Sequence, residues 1–449
     1  MKGRLPKMTT TVRRAILAAI LVYGLVATAN FAFYHLGGYP SLADQFPSGF
    51  WIALVVMSSV GLVVGLYSTV WRGISAAILG FGMYATWLRV FYGLGGSTNL
   101  SDQFPWGLWI AFDVMGGVGL AAGAFTLVAT VHIFNIEKYK PVLRPAILTA
   151  FLGYTLVTVG LLYDLGRPDR LWHPLVMWNP HSVMFEVAWC VTLYSTVLFL
   201  EFVPMVFEKF GWHKPMGWIH RISVPLMIIG VLLSTLHQSS LGTLFLIVPQ
   251  KLYPLWYSPI LPLLFFVSAV GVGLAMTIFE SWHSSREFGR ALELPLLASL
   301  ARVLAVVMSV YLWIRFLDLA HRHALGLLGQ NREETWLFLL EIALMAVPTV
   351  LLYQARIRMR PGALYACAVM VVFGFVANRL NVGITGLKAA SGTAYFPRWS
   401  EIAITLSIVA AGFAIFRVVA HYFPVFEAAS HEVKSGKTEE READPVSVG

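Results

Sequence analysis

Carboxylates set inside long apolar runs are the residues of this sequence best suited to chemistry. Asp113 ends the run Trp106-Gly-Leu-Trp109-Ile-Ala-Phe-Asp113, Glu186 and Glu201 share another run, and Asp164 closes a third as Asp164-Leu-Gly-Arg167-Pro168. An ionisable group in hydrocarbon is costly, and by default it marks a site or a proton route. On a helix rising 1.5 Å per residue, Glu186 and Glu201 are about 22 Å apart and offset by about 60°, so one broad face carries an acid near each end. Such a pair suits proton uptake on one side and release on the other. The plainer alternative is that Glu201 pairs with a base at its own end of the helix. Asp164 and Arg167 are three apart and can pair, so that motif is either a brace or a site.

A second cluster, His237-Gln238-Ser239-Ser240-Leu241-Gly242, sets an imidazole beside an amide and two hydroxyls. This set can hold the carbonyl oxygen of a small molecule, although a lone His is more commonly a hydrogen-bonded structural residue. Asn179-Pro180-His181-Ser182 opens the run that carries Glu186, with Asn179 expected as the N-cap and Pro180 at the first helical position. Arg315, Asp318, Glu341, Arg379 and Tyr395-Phe396-Pro397 read as helix-to-helix ion pairs and interface anchors. The two cysteines, Cys190 and Cys367, are each isolated. Two thiols cannot supply a C-x-x-C-H haem site or a four-Cys iron–sulfur cassette. The twelve histidines form no opposed pair in mid-run, so no haem and no metal site are expected, and iron–sulfur clusters would come only from a partner.

An internal repeat at an offset of 58 residues sharpens the choice of site. Tyr34 to Gly38, Asp44 to Ala53 and Val60 to Leu62 recur as Tyr92 to Gly96, Asp102 to Ala111 and Val118 to Leu120. Each copy reads as a span, a Gly-rich loop and a Pro-initiated helix. Trp106 replaces Ser48 and Asp113 replaces Val55, so the second copy carries the chemistry. In an α-helix Trp106, Ile110 and Asp113 would fall on one face, at i, i+4 and i+7. A structural Asp that caps a neighbouring helix is the alternative.

The elements that must position these residues are membrane helices. The 449 residues are 58% hydrophobic and 12% charged, about half the charge of a soluble domain, which excludes a disordered chain, a soluble enzyme and a nucleic-acid reader. Twelve windows of about 20 apolar residues qualify as spans: 14–34, 48–70, 74–93, 106–130, 144–163, 182–206, 218–236, 259–281, 297–319, 335–354, 362–381 and 401–420. The first is longer than a signal-peptide core and reads as retained. Most of the 32 Lys and Arg alternate onto one set of loops together with both termini, which places both termini in the cytoplasm and turns the polar clusters outward. The end from Glu427 reads as a solvated polar tail.

These residues together resemble the NrfD/polysulfide-reductase (PsrC) membrane-subunit family. Asp164 to Pro168 is its broad signature. More specific are Phe104 to Gly107 with Trp109 to Asp113, Arg144-Pro145-Ala146, Asn179 to Glu186, and His237 to Gly242. The set is closest to the HybB branch, the membrane subunit of type-2 nickel–iron (NiFe) uptake hydrogenases. The resemblance covers residues 74–422. It implies an all-α, polytopic, NrfD-like bundle without haem in a bacterial inner membrane. Residues 1–73 depart from the branch pattern as a two-helix N-terminal extension, and 423–449 read as a cytoplasmic tail. It also implies a subunit that is not catalytic alone. That subunit would bind menaquinone or ubiquinone near the outer face, beneath a ferredoxin-like iron–sulfur partner with hydrogenase large and small subunits. Trp106 and Trp109 would then wall the quinone, Arg167, His181, His237, Gln238 and Ser239 would bind it, and Asp113, Asp164, Glu186 and Glu201 would relay protons. Service to another periplasmic oxidoreductase or multihaem cytochrome is the alternative within this reading. A secondary transporter, which also uses repeats and broken helices, and a purely structural anchor are the readings outside it.

Overall fold

The computed structural model describes residues 70–426 apart from 331 and 394. The spans expected at 14–34 and over 48–69, the first copy of the repeat and the tail from Glu427 lie outside the described residues. Every regular element among those described is helical. Among the described residues nine helices have the length and apolar composition to cross a membrane, and they coincide with the last nine expected windows. The window 74–93 also folds as one helix. Large apolar side chains remain exposed on outward faces, among them Leu232, Trp313, Val350 and Phe373; a helix apolar all round needs an apolar surround.

The chain divides into two compact units. The first is Met1–Asp102 with Tyr395–Phe413. Its described part holds helix α1 (Val70–Ser97) and the beginning of helix α10 (Trp399–Tyr422). Tyr84 stacks on Trp399 at 5.8 Å. Glu401 is buried and accepts from Tyr395 Oη at 2.6 Å, Asn99 N at 3.1 Å and Arg398 N at 2.7 Å.

The second unit, Gln103–Ala394 with Ala414–Gly449, holds the remaining helices. They are α2 (Trp109–Ile133), α3 (Lys140–Asp164), α4 (Val183–Phe210), α5 (His213–Thr243), α6 (Leu261–Glu287), α7 (Leu294–His321), α8 (Glu333–Leu352) and α9 (Pro361–Ser391). Prolines at the first turns of α3, α6, α7 and α9 start those helices where no intrahelical N–H is required. Helix α4 begins later than its motif suggests. Ser182, not Asn179, is the cap, its hydroxyl accepting from Phe185 N, and the Asn179 carbonyl instead closes a turn onto Ser182 N.

Helix α2 is the irregular one. It winds as a π-helix over Trp109–Gly116, as α over Gly117–Leu120 and Gly123–Val128, and as π again over Ala129–Ile133. A break at Ala121 and Ala122 lets its backbone touch α6, where a Cβ on Gly273 would lie 2.8 Å from the Ala122 carbonyl carbon. Small residues permit such backbone contact between membrane helices.

The buried Arg315, Glu341 and Arg379 of α7 to α9 are held by hydrogen bonds, and only Asp318 of the expected set forms an ion pair, within its own helix end. Glu341 accepts from Trp256 Nε1 at 2.8 Å, Asn378 Nδ2 at 2.7 Å and Asn381 Nδ2 at 2.9 Å. Arg379 donates to Asn378 Oδ1 and Ser268 Oγ, with its guanidinium over the Phe265 ring at 3.6 Å. Arg315 donates to the Leu255 carbonyl. Asp318 pairs with Arg322 one turn on, at 2.7 Å.

Candidate functional site

An open groove of about 1030 Å³ runs along α4, between the start of α2, the second half of α3 and the end of α5. Its upper end is formed by the segment that follows Asp164. That segment turns through Pro168–Arg170 and His173–Val176 before Ser182 caps α4. Trp189 Nε1 donates to the Pro174 carbonyl at 2.9 Å and ties the segment to α4. Polar side chains gather at this end: Arg167, Arg170, His173, Asn179 and Ser182. Below them the lining is mainly apolar, through Ile110, Leu161, Val187 and Val191 to Phe151 and Phe199. From Ser182 to Phe199 the groove follows roughly 25 Å of helix. Trp106 is half-buried at the wall and sets its ring edge-on to Phe245 at 5.8 Å.

Two of the expected site residues, Trp106 and Arg167, line the groove. Arg167 pairs with Asp169 and not with Asp164, by a two-pronged contact at 3.1 and 3.0 Å. Both are exposed, and the hydrogen bond from Arg167 holds the Asp169 carboxyl below its ordinary range. Trp109 turns the other way, buried against Tyr163 at 6.0 Å. Asp113 is buried too, facing α3, where a Cβ on Gly160 would lie 2.8 Å from its own Cβ. Trp106 stands before the helix begins; within it the π-winding, which bonds i to i+5 and puts more residues in each turn, moves Asp113 off the face of Ile110. Asp164 stands at the end of α3, His181 is exposed, and Ser239 Oγ bonds back to the Thr235 carbonyl of its own helix. None of these last three lines the groove.

Behind the groove wall lies a second assembly. Glu186 Oε1 accepts from Ser240 Oγ at 2.6 Å, joining α4 to α5. His237 and Gln238 are fully buried one turn below. Gln238 Nε2 donates to the Val118 carbonyl at 3.0 Å, and the Tyr154 ring stands 5.7 Å from the His237 ring. Glu201 lies further along α4, its Oε1 3.8 Å from where a Cβ on Gly230 would be. Sequence reasoning missed His173, Arg170 and the half-buried Thr158 and Ser195 of the lining. His173 and Arg170 directly continue the Asp164–Pro168 motif, which was the available signal. Among the described residues no group of three or more His, Cys, Asp or Glu side chains could hold a metal ion.

Sequence comparison places the chain among known relatives. The profile of the polysulphide reductase NrfD family matches residues 96–389. A protein of Nitratidesulfovibrio vulgaris is 38% identical over 362 residues, 78% of this chain and 93% of that protein. The probable Ni/Fe-hydrogenase 2 b-type cytochrome subunit of Escherichia coli is 33% identical over 342 residues, 75% of this chain and 87% of that subunit. The menaquinone reductase integral membrane subunit of N. vulgaris is 29% identical over 388 residues, 79% of this chain and 91% of that subunit. With the profile covering well over half its length, the chain is a multi-pass integral membrane protein that belongs to the polysulphide reductase NrfD family.

Proposed function

We propose that the chain is the quinone-binding membrane subunit of a respiratory redox complex and passes electrons between an iron–sulfur partner and the membrane quinone pool. The groove carries this reading. It has a polar end for a head group, an aromatic wall at Trp106 and an apolar run long enough for an isoprenoid tail. A quinone held there would take up two electrons and two protons to become the quinol. Arg167, Arg170, His173 and Asn179 would orient its carbonyl oxygens, while the apolar lining excludes water from the tail. The acids Asp113, Asp164, Glu186 and Glu201 would move protons, with His237, Gln238 and Ser240 between them. The names of the menaquinone reductase and hydrogenase relatives support menaquinone as the quinone and a NiFe hydrogenase as the source of electrons. The distribution of Lys and Arg supports an inner-membrane placement with both termini inside and the groove's polar end outward.

The full chain in mild detergent is expected to bind tritiated 2,3-dimethyl-1,4-naphthoquinone saturably, one per chain. Trp106→Ala should weaken that binding about tenfold, near 1.4 kcal/mol. No saturable binding, or displacement of bound phosphatidylglycerol only, would turn the groove into a lipid site. The E. coli relative is named a b-type cytochrome subunit, whereas this reading assigns no haem to the chain. His237 is the single buried His among the described residues, and it has no opposed partner. The purified chain should show no Soret band in its visible spectrum; a stoichiometric one would overturn that part of the reading.

A further inference from the structure

A second, much smaller pocket of about 50 Å³ lies at the other end of α3 from the polar end of the groove, between the first turns of α3, the end of α6 and the start of α7. The end of α6 reads Glu280-Ser-Trp-His-Ser284-Ser-Arg-Glu287. Glu280 and Ser284, at i and i+4, share a helix face, and Ser284 Oγ donates to Glu280 Oε1 at 2.8 Å. Glu280 is only 9% exposed, and its other oxygen, Oε2, is shielded from solvent and has no hydrogen-bond partner. A buried carboxylate oxygen left in this way is costly until a donor reaches it.

The rest of the lining says what kind of donor. Ser284 and Ser285 both line the pocket, and their hydroxyl protons are engaged, by Glu280 and by the Trp282 carbonyl at 3.0 Å. Each oxygen therefore offers lone pairs. Together with Glu280 Oε2 they make three acceptors around a small space, the complement of a primary ammonium with its three N–H donors and no acceptor. Arg290 lines the same pocket, its guanidinium lying over the Phe426 ring at 4.5 Å. Stacked this way, a guanidinium donates in its own plane, in the geometry that suits a phosphate. A bare metal cation beside Glu280 would meet a like charge at Arg290. A ligand with an ammonium and a phosphate two carbons apart satisfies both.

The pocket also stands at the depth of lipid headgroups. Trp282 stacks on Tyr365 at 4.8 Å, the Tyr365 hydroxyl bonds His283 Nε2 at 3.0 Å, and Arg286 covers the Trp282 ring at 4.1 Å. Trp and Tyr collect at the membrane–water interface, with Arg beside them on the basic side. Glu280 is about 3 Å along the helix axis from Trp282.

We propose that this pocket binds the headgroup of phosphatidylethanolamine, with its ammonium on Glu280 Oε2, Ser284 and Ser285 and its phosphate on Arg290. A lipid held there neutralises the buried acid and ties α3, α6 and α7 together at the membrane edge. The site is separate from the groove and stands whether or not the groove holds a quinone. Phosphatidylcholine offers the same phosphate but a quaternary ammonium with no N–H and three methyl groups, and phosphatidylglycerol offers no cation, so both should be refused.

The test titrates the full chain, stripped of lipid in mild detergent, with the dioleoyl forms of these three lipids under native mass spectrometry. One phosphatidylethanolamine per chain is expected, with a Kd at least about tenfold below those of the other two. Glu280→Gln and Arg290→Gln should each raise that Kd about tenfold. Glu287→Gln, exposed at the end of the same helix and outside the lining, should bind as the wild type does. Equal affinity for the three lipids would overturn the proposal without any variant having to fold. A preference that survives in both pocket variants would place the lipid elsewhere and overturn it too. Competition by soluble O-phosphoethanolamine at concentrations equal to the lipid would assign the pocket to a free phosphoamine. Stabilisation by sodium chloride over choline chloride, with no lipid preference, would make it a metal-cation site.

Discussion

A single indole placed in the middle of the groove is expected to abolish quinone binding. Ala188 lines the groove from α4, between the polar end at Ser182 and the apolar end at Phe199. Ala188→Trp fills the space that a head group must pass or occupy, and the neighbouring wall cannot yield, since Val157 is part of the packed core. The Kd for 2,3-dimethyl-1,4-naphthoquinone should rise by two orders of magnitude, or about 2.7 kcal/mol. Leu193→Trp supplies the control. Leu193 is on the same helix, exposed and outside the groove lining, so the same added bulk there should leave Kd unchanged. Equal effects at both positions would mean that the helix had been disturbed. No effect at either would empty the groove of its role.

The second large effect expected is on stability. Glu341 is fully buried and accepts three hydrogen bonds, from Trp256, Asn378 and Asn381. Glu341→Leu strands three donors, and it removes the buried anion from a region that also holds the buried cations Arg315 and Arg379. Each buried donor left unsatisfied costs about 1–3 kcal/mol, so a loss on the order of 3–9 kcal/mol is expected. That is a large part of the 5–15 kcal/mol typical of folded proteins. In mild detergent the variant should unfold well below the wild-type temperature or elute as aggregate. Glu341→Gln keeps one acceptor and should fall between the two. An unchanged Tm for Glu341→Leu would show that the network contributes nothing net, as when a buried polar cluster is no better than an apolar core of the same shape.

The two results separate the halves of the second unit. The first reads the groove beside α2, α3, α4 and α5, and the second reads the polar core of α6 to α9. A variant of one half that disturbed only the other would be evidence of coupling between them.

Much of the fold was fixed by composition alone. About 20 apolar residues are needed to cross a bilayer and few other structures use them, so the nine spans among the described residues could be placed from the chain. The same local chemistry ended α3 at Asp164 and put Glu186 one turn into α4. It also made the acids at 186 and 201 a pair on one helix. What sequence could not give was the direction in which each side chain points. An α-helical period would put Trp106, Ile110 and Asp113 on one face, but Trp106 precedes the helix and the π-winding of α2 turns Asp113 away from the groove. Arg167 chose Asp169 over Asp164 because the chain turns at Pro168. His237 and Gln238 stand behind the wall rather than in it. Spacing along one helix is local, but a groove lined by four elements and a polar stripe enclosed by three exist only once the helices pack. Their packing is decided by contacts such as Gly273 on Ala122 that lie far apart in the chain.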